Sequence, residues 1–203
     1  MSLDRHSAGP SAAPEVDAAP PRPVPVGHDE PERACVRGKV LLAALEEREP
    51  GARSHGDAVA SYAFATAVEL GLERTACLLV REAARLHEVG RLYVRDESHP
   101  AAGYRLARGA GVPELACEWI LHCGESFGRA GEDDRSAEEP PPLPSRIIAA
   151  ACAYAGLLDE QRTPSVADRR WALIGVIEGA GDRLDPVVVD ALARVVERAS
   201  SLE

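Results

Sequence analysis

Four histidines in this chain could do chemistry: His55, His87, His99 and His122. Each falls at or beside the end of a helix predicted from hydrophobic periodicity, which is where a helical bundle assembles a ligand-binding cluster. His87 is followed directly by Glu88, the one His–acid pair outside the first 33 residues. Neutral imidazole and carboxylate suit divalent Zn, Fe or Mn. Spacing alone leaves two readings open, a shared metal site or four histidines serving surface and core separately. The cysteines (Cys35, Cys77, Cys117, Cys123 and Cys152) are odd in number, widely spaced and without a CxxC. They do not read as a disulfide framework.

The elements that must position these residues are helical. Val40, Leu41, Ala44 and Leu45 recur at helical spacing until Pro50-Gly51 closes the segment. A second helix is predicted over 55–70, with Val59, Tyr62, Ala63 and Val68 on its apolar side and Gly71 as its stop. A third, over 73–89, carries Cys77, Leu78, Val80, Ala84 and Leu86. Further helices are expected over 100–108, 113–122, 145–160, 166–178 and 186–200. Pro113 and Pro186 sit where a first turn needs no N–H from them. No strand pattern of useful length appears, so the expected class is all-α.

Composition supports that class. The chain has 203 residues, 45% hydrophobic but only 4% aromatic, so its core must be built from Ala, Leu, Val and Ile, which favours close-packed helices. A formal net charge of −10 makes a nucleic-acid polymer an unfavourable partner, because no cation excess exists to displace its counterions. No signal-peptide pattern and no apolar run of about 20 residues occurs. The expectation is a cytoplasmic protein with no membrane partner.

Two stretches differ from the rest. Residues 1–33 contain seven of the sixteen prolines, with a run at Pro20-Pro21-Arg22-Pro23-Val24-Pro25. Such a segment buries too little apolar surface to offset its ordering entropy, so a disordered Pro-rich tail is expected before a helical domain over 34–203. Residues 124–144 hold Glu125, Glu132, Asp133, Asp134, Glu138 and Glu139 against Arg129 and Arg135, a long acidic loop of the kind that is functional or mobile.

Six short motifs in register resemble the HD-GYP domain. Arg48-Glu49-Pro50 with Ser54-His55 resembles that family's entry helix, Arg-Asp-Pro turn and first metal-binding histidine. His87-Glu88-Val89-Gly90-Arg91 resembles its His-Asp-x-Gly-Lys core, and His99-Pro100-Ala101-Ala102-Gly103 its His-Pro-x-x-Gly element. Ile120-Leu121-His122-Cys123 falls where the family has two successive histidines. Arg146-Ile147-Ile148-Ala149-Ala150-Ala151-Cys152 resembles a helix that ends in a metal-binding Asp, and Gly179-Ala180-Gly181 with Asp185-Pro186 resembles the closing motifs. The resemblance covers about residues 38–198.

It implies an all-α HD-type bundle, a site of one or two divalent ions, and ancestry in cyclic di-GMP hydrolysis. The ligands it implies are His55, His87, Glu88, His99 and His122, with Cys123 and Cys152 in place of a His and an Asp. Each cysteine reads either as a thiolate ligand favouring zinc or as a small buried residue. Cys152, flanked by Ala149, Ala150, Ala151, Ala153 and Ala155, fits the second description well. Arg91 could meet a phosphate or serve the surface. Glu88 for Asp shifts the carboxylate by about 1.5 Å, the Gly-Tyr-Pro signature is absent, and the acidic loop would repel a phosphodiester. The expected function is therefore a divergent signalling domain without standard cyclic di-GMP hydrolysis, binding a protein or a cyclic dinucleotide, with a homodimer as a further expectation. The alternative is a working metal-dependent phosphohydrolase with altered ligands and substrate.

Overall fold

A computed structural model of the chain describes residues 30–128, 140–158 and 164–201, with side chains from Gly38 onward. Among these, eight α-helices follow one another: α1 (Glu30–Arg48), α2 (Ala52–Glu69), α3 (Arg74–Leu86), α4 (His99–Gly109), α5 (Glu114–Leu121), α6 (Leu143–Leu158), α7 (Val166–Glu178) and α8 (Pro186–Ser200). A short 3-10 helix, Val89–Leu92, links α3 to α4. The described residues contain no strand, only an isolated bridge between Ala180 and Leu184. None of the described helices is long and apolar enough to cross a membrane. The all-α expectation holds.

Small residues set the packing. α2 buries Gly56, Val59, Ala60, Ala63, Thr66 and Ala67 along one stripe, and this stripe faces Leu79, Val80, Ala83 and Ala84 of α3. Removing Cβ bulk lets two helices approach closely. A Cβ on Gly56 would stand 2.8 Å from the carbonyl oxygen of Arg85. That approach brings the first turns of α2 beside the end of α3, one residue from His55. α2 also packs on α6, whose Ile147, Ile148, Ala150, Ala151 and Tyr154 are fully buried.

The ends of the helices are tied by specific bonds. Asp185 accepts from the Val187 N–H at 2.8 Å and so caps α8, which opens at Pro186. The same carboxylate, almost fully buried, pairs with Arg146 of α6. Ser145 donates its hydroxyl to the Trp119 carbonyl at 3.0 Å and joins α6 to α5. Ser165 and Asp168 form a reciprocal capping box at the start of α7.

Three sequence expectations are corrected. The third helix does not run to Val89: α3 ends at Leu86, and Gly90 is pressed so closely against α4 that a Cβ would lie 1.9 Å from the His99 carbonyl oxygen. Val40 and Val68, placed on apolar faces by their spacing, are exposed. The packed stripes of α1 and α2 lie to one side of them. The first helix begins at Glu30, inside the stretch expected to be tail. The expectation for residues 1–29, and that for most of the acidic loop (129–139), lie outside the described residues.

Candidate metal centre

Three helices place three donors. α2 starts after the Pro50-Gly51 turn, and the carboxylate of Glu46 on α1 accepts the N–H groups of Gly51 (3.1 Å) and Arg53 (2.7 Å). These bonds hold the Glu46 carboxyl below its usual range and pin the turn that carries His55. His87 terminates α3. Its Nδ1–H donates to the Ala84 carbonyl oxygen at 2.7 Å, which turns Nε2 toward α6. A second bond at the far nitrogen that fixes the ring in this way is the usual arrangement behind a ligating histidine. Across the gap, the Cys152 sulfur of α6 lies 3.2 Å from His87 Nε2 and 3.8 Å from His55 Nε2.

The donor atoms of His55, His87 and Cys152 all lie within 4.8 Å of one another, the one such group of three among the described residues. The His55 and His87 rings stand 5.4 Å apart between centroids, tilted by 42°. Burial pushes the His87 pKa down to about 4, so its imidazole is neutral at physiological pH. Glu88 stands beside the group with Oε2 4.0 Å from His55 Nε2. Its other oxygen accepts from Arg91 Nη1 at 2.7 Å. Burial raises the Glu88 pKa, but His87 and Arg91 outweigh it and the carboxyl sits below its usual range.

The other expected site residues each have a local partner. His99, the first residue of α4, donates Nδ1–H to the Asp96 carbonyl oxygen at 3.0 Å. His122, just after α5, pairs Nδ1 with Glu125 at 2.7 Å. Cys123 is buried, donates its thiol to the Ile120 carbonyl oxygen at 3.1 Å, and is pushed up to about 12 by burial. Arg91, expected at a phosphate, is held between Glu88 and Glu49, whose Oε2 lies 3.1 Å from Arg91 Nε.

A cavity of about 890 Å³ opens on the centre, with Glu49, Ser54, His55, Glu88, Arg91 and Cys152 among its walls. Tyr62 adds an aromatic wall, packed edge-on against Tyr154 at 4.8 Å. Sequence reasoning did not single out Glu49 or Tyr62. The signal for Glu49 was present, because it fills the acid position of the Arg48-Glu49-Pro50 turn. For Tyr62 there was none beyond its place on an apolar stripe.

Chemically, two imidazoles, one thiol and a nearby carboxylate match the donor types of a tetrahedral zinc site.

Comparison with known proteins bears on the family and the fold. The family model described as HD domain matches residues 53–157. The chain is 26% identical over 173 residues to the cyclic di-GMP phosphodiesterase response regulator RpfG of Xanthomonas campestris pv. campestris (strain 8004). That match takes in 76% of this chain and 46% of the relative, so the chain spans about half the length of that protein. The fold is similar to the HD domain of the L. monocytogenes phosphodiesterase PgpH, with a TM-score of 0.57, 16% identity, 80% of this chain and 98% of that one. The same domain solved with cyclic-di-AMP gives a TM-score of 0.55 at 17% identity, over 80% and 96% of the two chains. Bd1817, an HDG"Y"P protein of Bdellovibrio bacteriovorus, gives 0.58 at 15% identity, over 81% of this chain and 62% of that one. The matched segment contains His55, the His87-Glu88 pair and Cys152, the residues that the fold gathers around one point, and the chain belongs to the HD domain family of phosphohydrolases.

Proposed function

We propose that this chain is a divergent HD-GYP-type signalling domain that holds one divalent ion and acts as a binding or regulatory module without standard cyclic di-GMP hydrolysis. The observation that carries the reading is the convergence of His55, His87 and Cys152 within 4.8 Å. These three would hold the ion, with Glu88 as the adjacent carboxylate. When bound, such an ion supplies Lewis acidity toward a phosphoryl oxygen.

The chain's own residues define what such a site does. His87 is oriented through Ala84, and Cys152 brings a soft donor where the family resemblance has an Asp. Glu88, which would have to be shared between two ions in a two-metal centre, is engaged by Arg91 on its other oxygen. Among the described residues one compact group of three donors is assembled, and the reading therefore takes one ion over two. The cavity also argues against holding a phosphodiester in place for cleavage. Arg91 is its cationic wall, and it is already bracketed by Glu49 and Glu88. A phosphate would have to displace one of two carboxylates to reach it.

The ligand class to screen first is the cyclic dinucleotides, because the PgpH HD domain, a fold neighbour, is solved with cyclic-di-AMP. The second reading, an active phosphohydrolase with changed substrate, is favoured by the cavity itself. At about 890 Å³ it lies within the range of small-molecule sites and opens on the donors.

Metal content separates the readings. Protein purified without added metal or chelator is expected to carry about one equivalent of zinc, lost in His87→Ala and Cys152→Ala. Neither form is expected to linearise cyclic di-GMP. Two ions per chain together with metal-dependent turnover of that substrate would overturn the proposal. A wild-type protein that stays metal-free after reconstitution with Zn, Fe or Mn would remove the ion from it.

A further inference from the structure

A cluster of exposed apolar side chains lies on α7. Ala172, Leu173 and Val176 bury the inner side of this helix against α6 and α8. Its outer side presents Trp171 at 73%, Ile174 at 41% and Ile177 at 50% exposure. Leu157, at the end of α6, extends the patch at 53%. Scattered exposed apolar residues are ordinary, but an exposed Trp with two Ile on one helix face is a contiguous patch of the kind that marks an interface.

We propose that this face pairs with the same face of a second copy of the chain, as an antiparallel α7–α7 contact about a two-fold axis through Ile174. Charge placement selects this arrangement. Arg170 and Glu178 are both exposed, and each lies four residues from Ile174 on opposite sides. In the antiparallel pair, Ile174 meets Ile174, Trp171 falls level with Ile177, and Arg170 falls level with Glu178 at both ends. A parallel pair would instead set Arg170 against Arg170 and Glu178 against Glu178. The contact is self-complementary, as a two-fold interface requires.

The area is sufficient. The exposed parts of Trp171, Ile174, Ile177 and Leu157 come to about 450 Å² of apolar surface per copy, taking about 200–250 Å² for each whole residue. Two copies with the stems of Arg170 and Glu178 then reach the roughly 1,000 Å² at which specific interfaces begin. The net charge of −10 opposes association at long range, so the apolar contact and the paired charges must hold it.

Sedimentation equilibrium on the full chain, from about 1 to 200 µM, tests the proposal. The wild type is expected to move from one to two copies across that range, and Trp171→Asp to remain single throughout. Arg170→Glu is expected to weaken the pair at least about tenfold, and Arg170→Glu with Glu178→Arg to recover most of that loss. All of these positions are exposed, so melting temperatures taken at about 1 µM, where every form is single, should match the wild type and separate lost pairing from lost folding. A wild type that stays single at the highest concentration overturns the proposal and leaves the face to a different protein. A dimer that survives Trp171→Asp overturns it by placing the contact elsewhere. Failure of the charge exchange to recover pairing refutes the antiparallel register.

Discussion

Gly90→Ala tests the link between the 3-10 turn and α4 most directly. A Cβ at this position would lie 1.9 Å from the His99 carbonyl oxygen, 2.6 Å from the Gly103 nitrogen and 2.8 Å from the His99 carbonyl carbon. All three are backbone atoms, so no side chain can swing aside. Ordinary contact begins near 3.4 Å, and α4 must therefore retreat by about 1.5 Å or the turn must deform. Gly90 does not have the left-handed backbone found at Gly51, Gly71, Gly111 and Gly181, so its requirement is space alone. Overpacking against fixed atoms places the loss at about 3 kcal/mol. In a chain of this size that is a fall of about 6–12 °C in Tm. Gly156→Ala is the matched control. It sits in the exposed part of α6, where an added Cβ meets nothing within 4 Å, and relief of the helix penalty should stabilise the protein by about 0.5–1 kcal/mol. Urea unfolding of the two variants beside wild type reads both signs at once. A loss below about 1 kcal/mol for Gly90→Ala, or an equal loss for Gly156→Ala, would refute the argument from close approach.

Cys152→Asp restores a carboxylate donor, and is expected to shift the metal retained from a zinc, iron and manganese mixture away from zinc, as counted by mass spectrometry. Undiminished zinc selectivity would show that the thiol does not touch the ion. Asp185→Ala removes the cap of α8 and leaves Arg146 without its buried partner, an expected loss of about 2–4 kcal/mol by denaturant titration. Asp185→Asn keeps the capping oxygen and should lose less. Glu69 accepts from Arg198 and Arg194, which hold its carboxyl below the ordinary value of 4.5. A depressed carboxylate adds stability above its unfolded pKa and loses it as pH falls through the folded value. Melting curves of Glu69→Gln should therefore fall less steeply than wild type below pH 4.5, and parallel curves would contradict the pairing.

Helix order was readable in the chain because the local signals are strong. Gly71 ends α2 in the left-handed conformation that a side chain resists, and Pro186 opens α8 at a position where its missing N–H is harmless. The limits of α3 were not readable, since they depend on how closely α4 approaches Gly90, a contact with no local trace. Cys152 shows the same limit at the site. Its alanine neighbours describe a tightly packed helix face, and that description is correct for Ala150 and Ala151. One residue further round the turn, the sulfur meets His87 across the gap between α6 and the end of α3. Motif order put His99, His122 and Cys123 in the same ligand set, but register along a chain carries no distance. Val40 and Val68 fail for a related reason. A hydrophobic stripe tells which residues prefer burial, while the neighbouring helices decide how wide a stripe is covered.

The three donors occupy chain positions 55, 87 and 152, on α2, at the end of α3 and on α6. During synthesis from the N-terminus, both imidazoles leave the ribosome long before the sulfur does. A nascent chain halted anywhere before α6 therefore has two of the three donors and none of the wall that α6 contributes. Loading with an ion can only follow translation of most of the domain, so metallation of this chain would report that it has been made through α6 and folded onto itself.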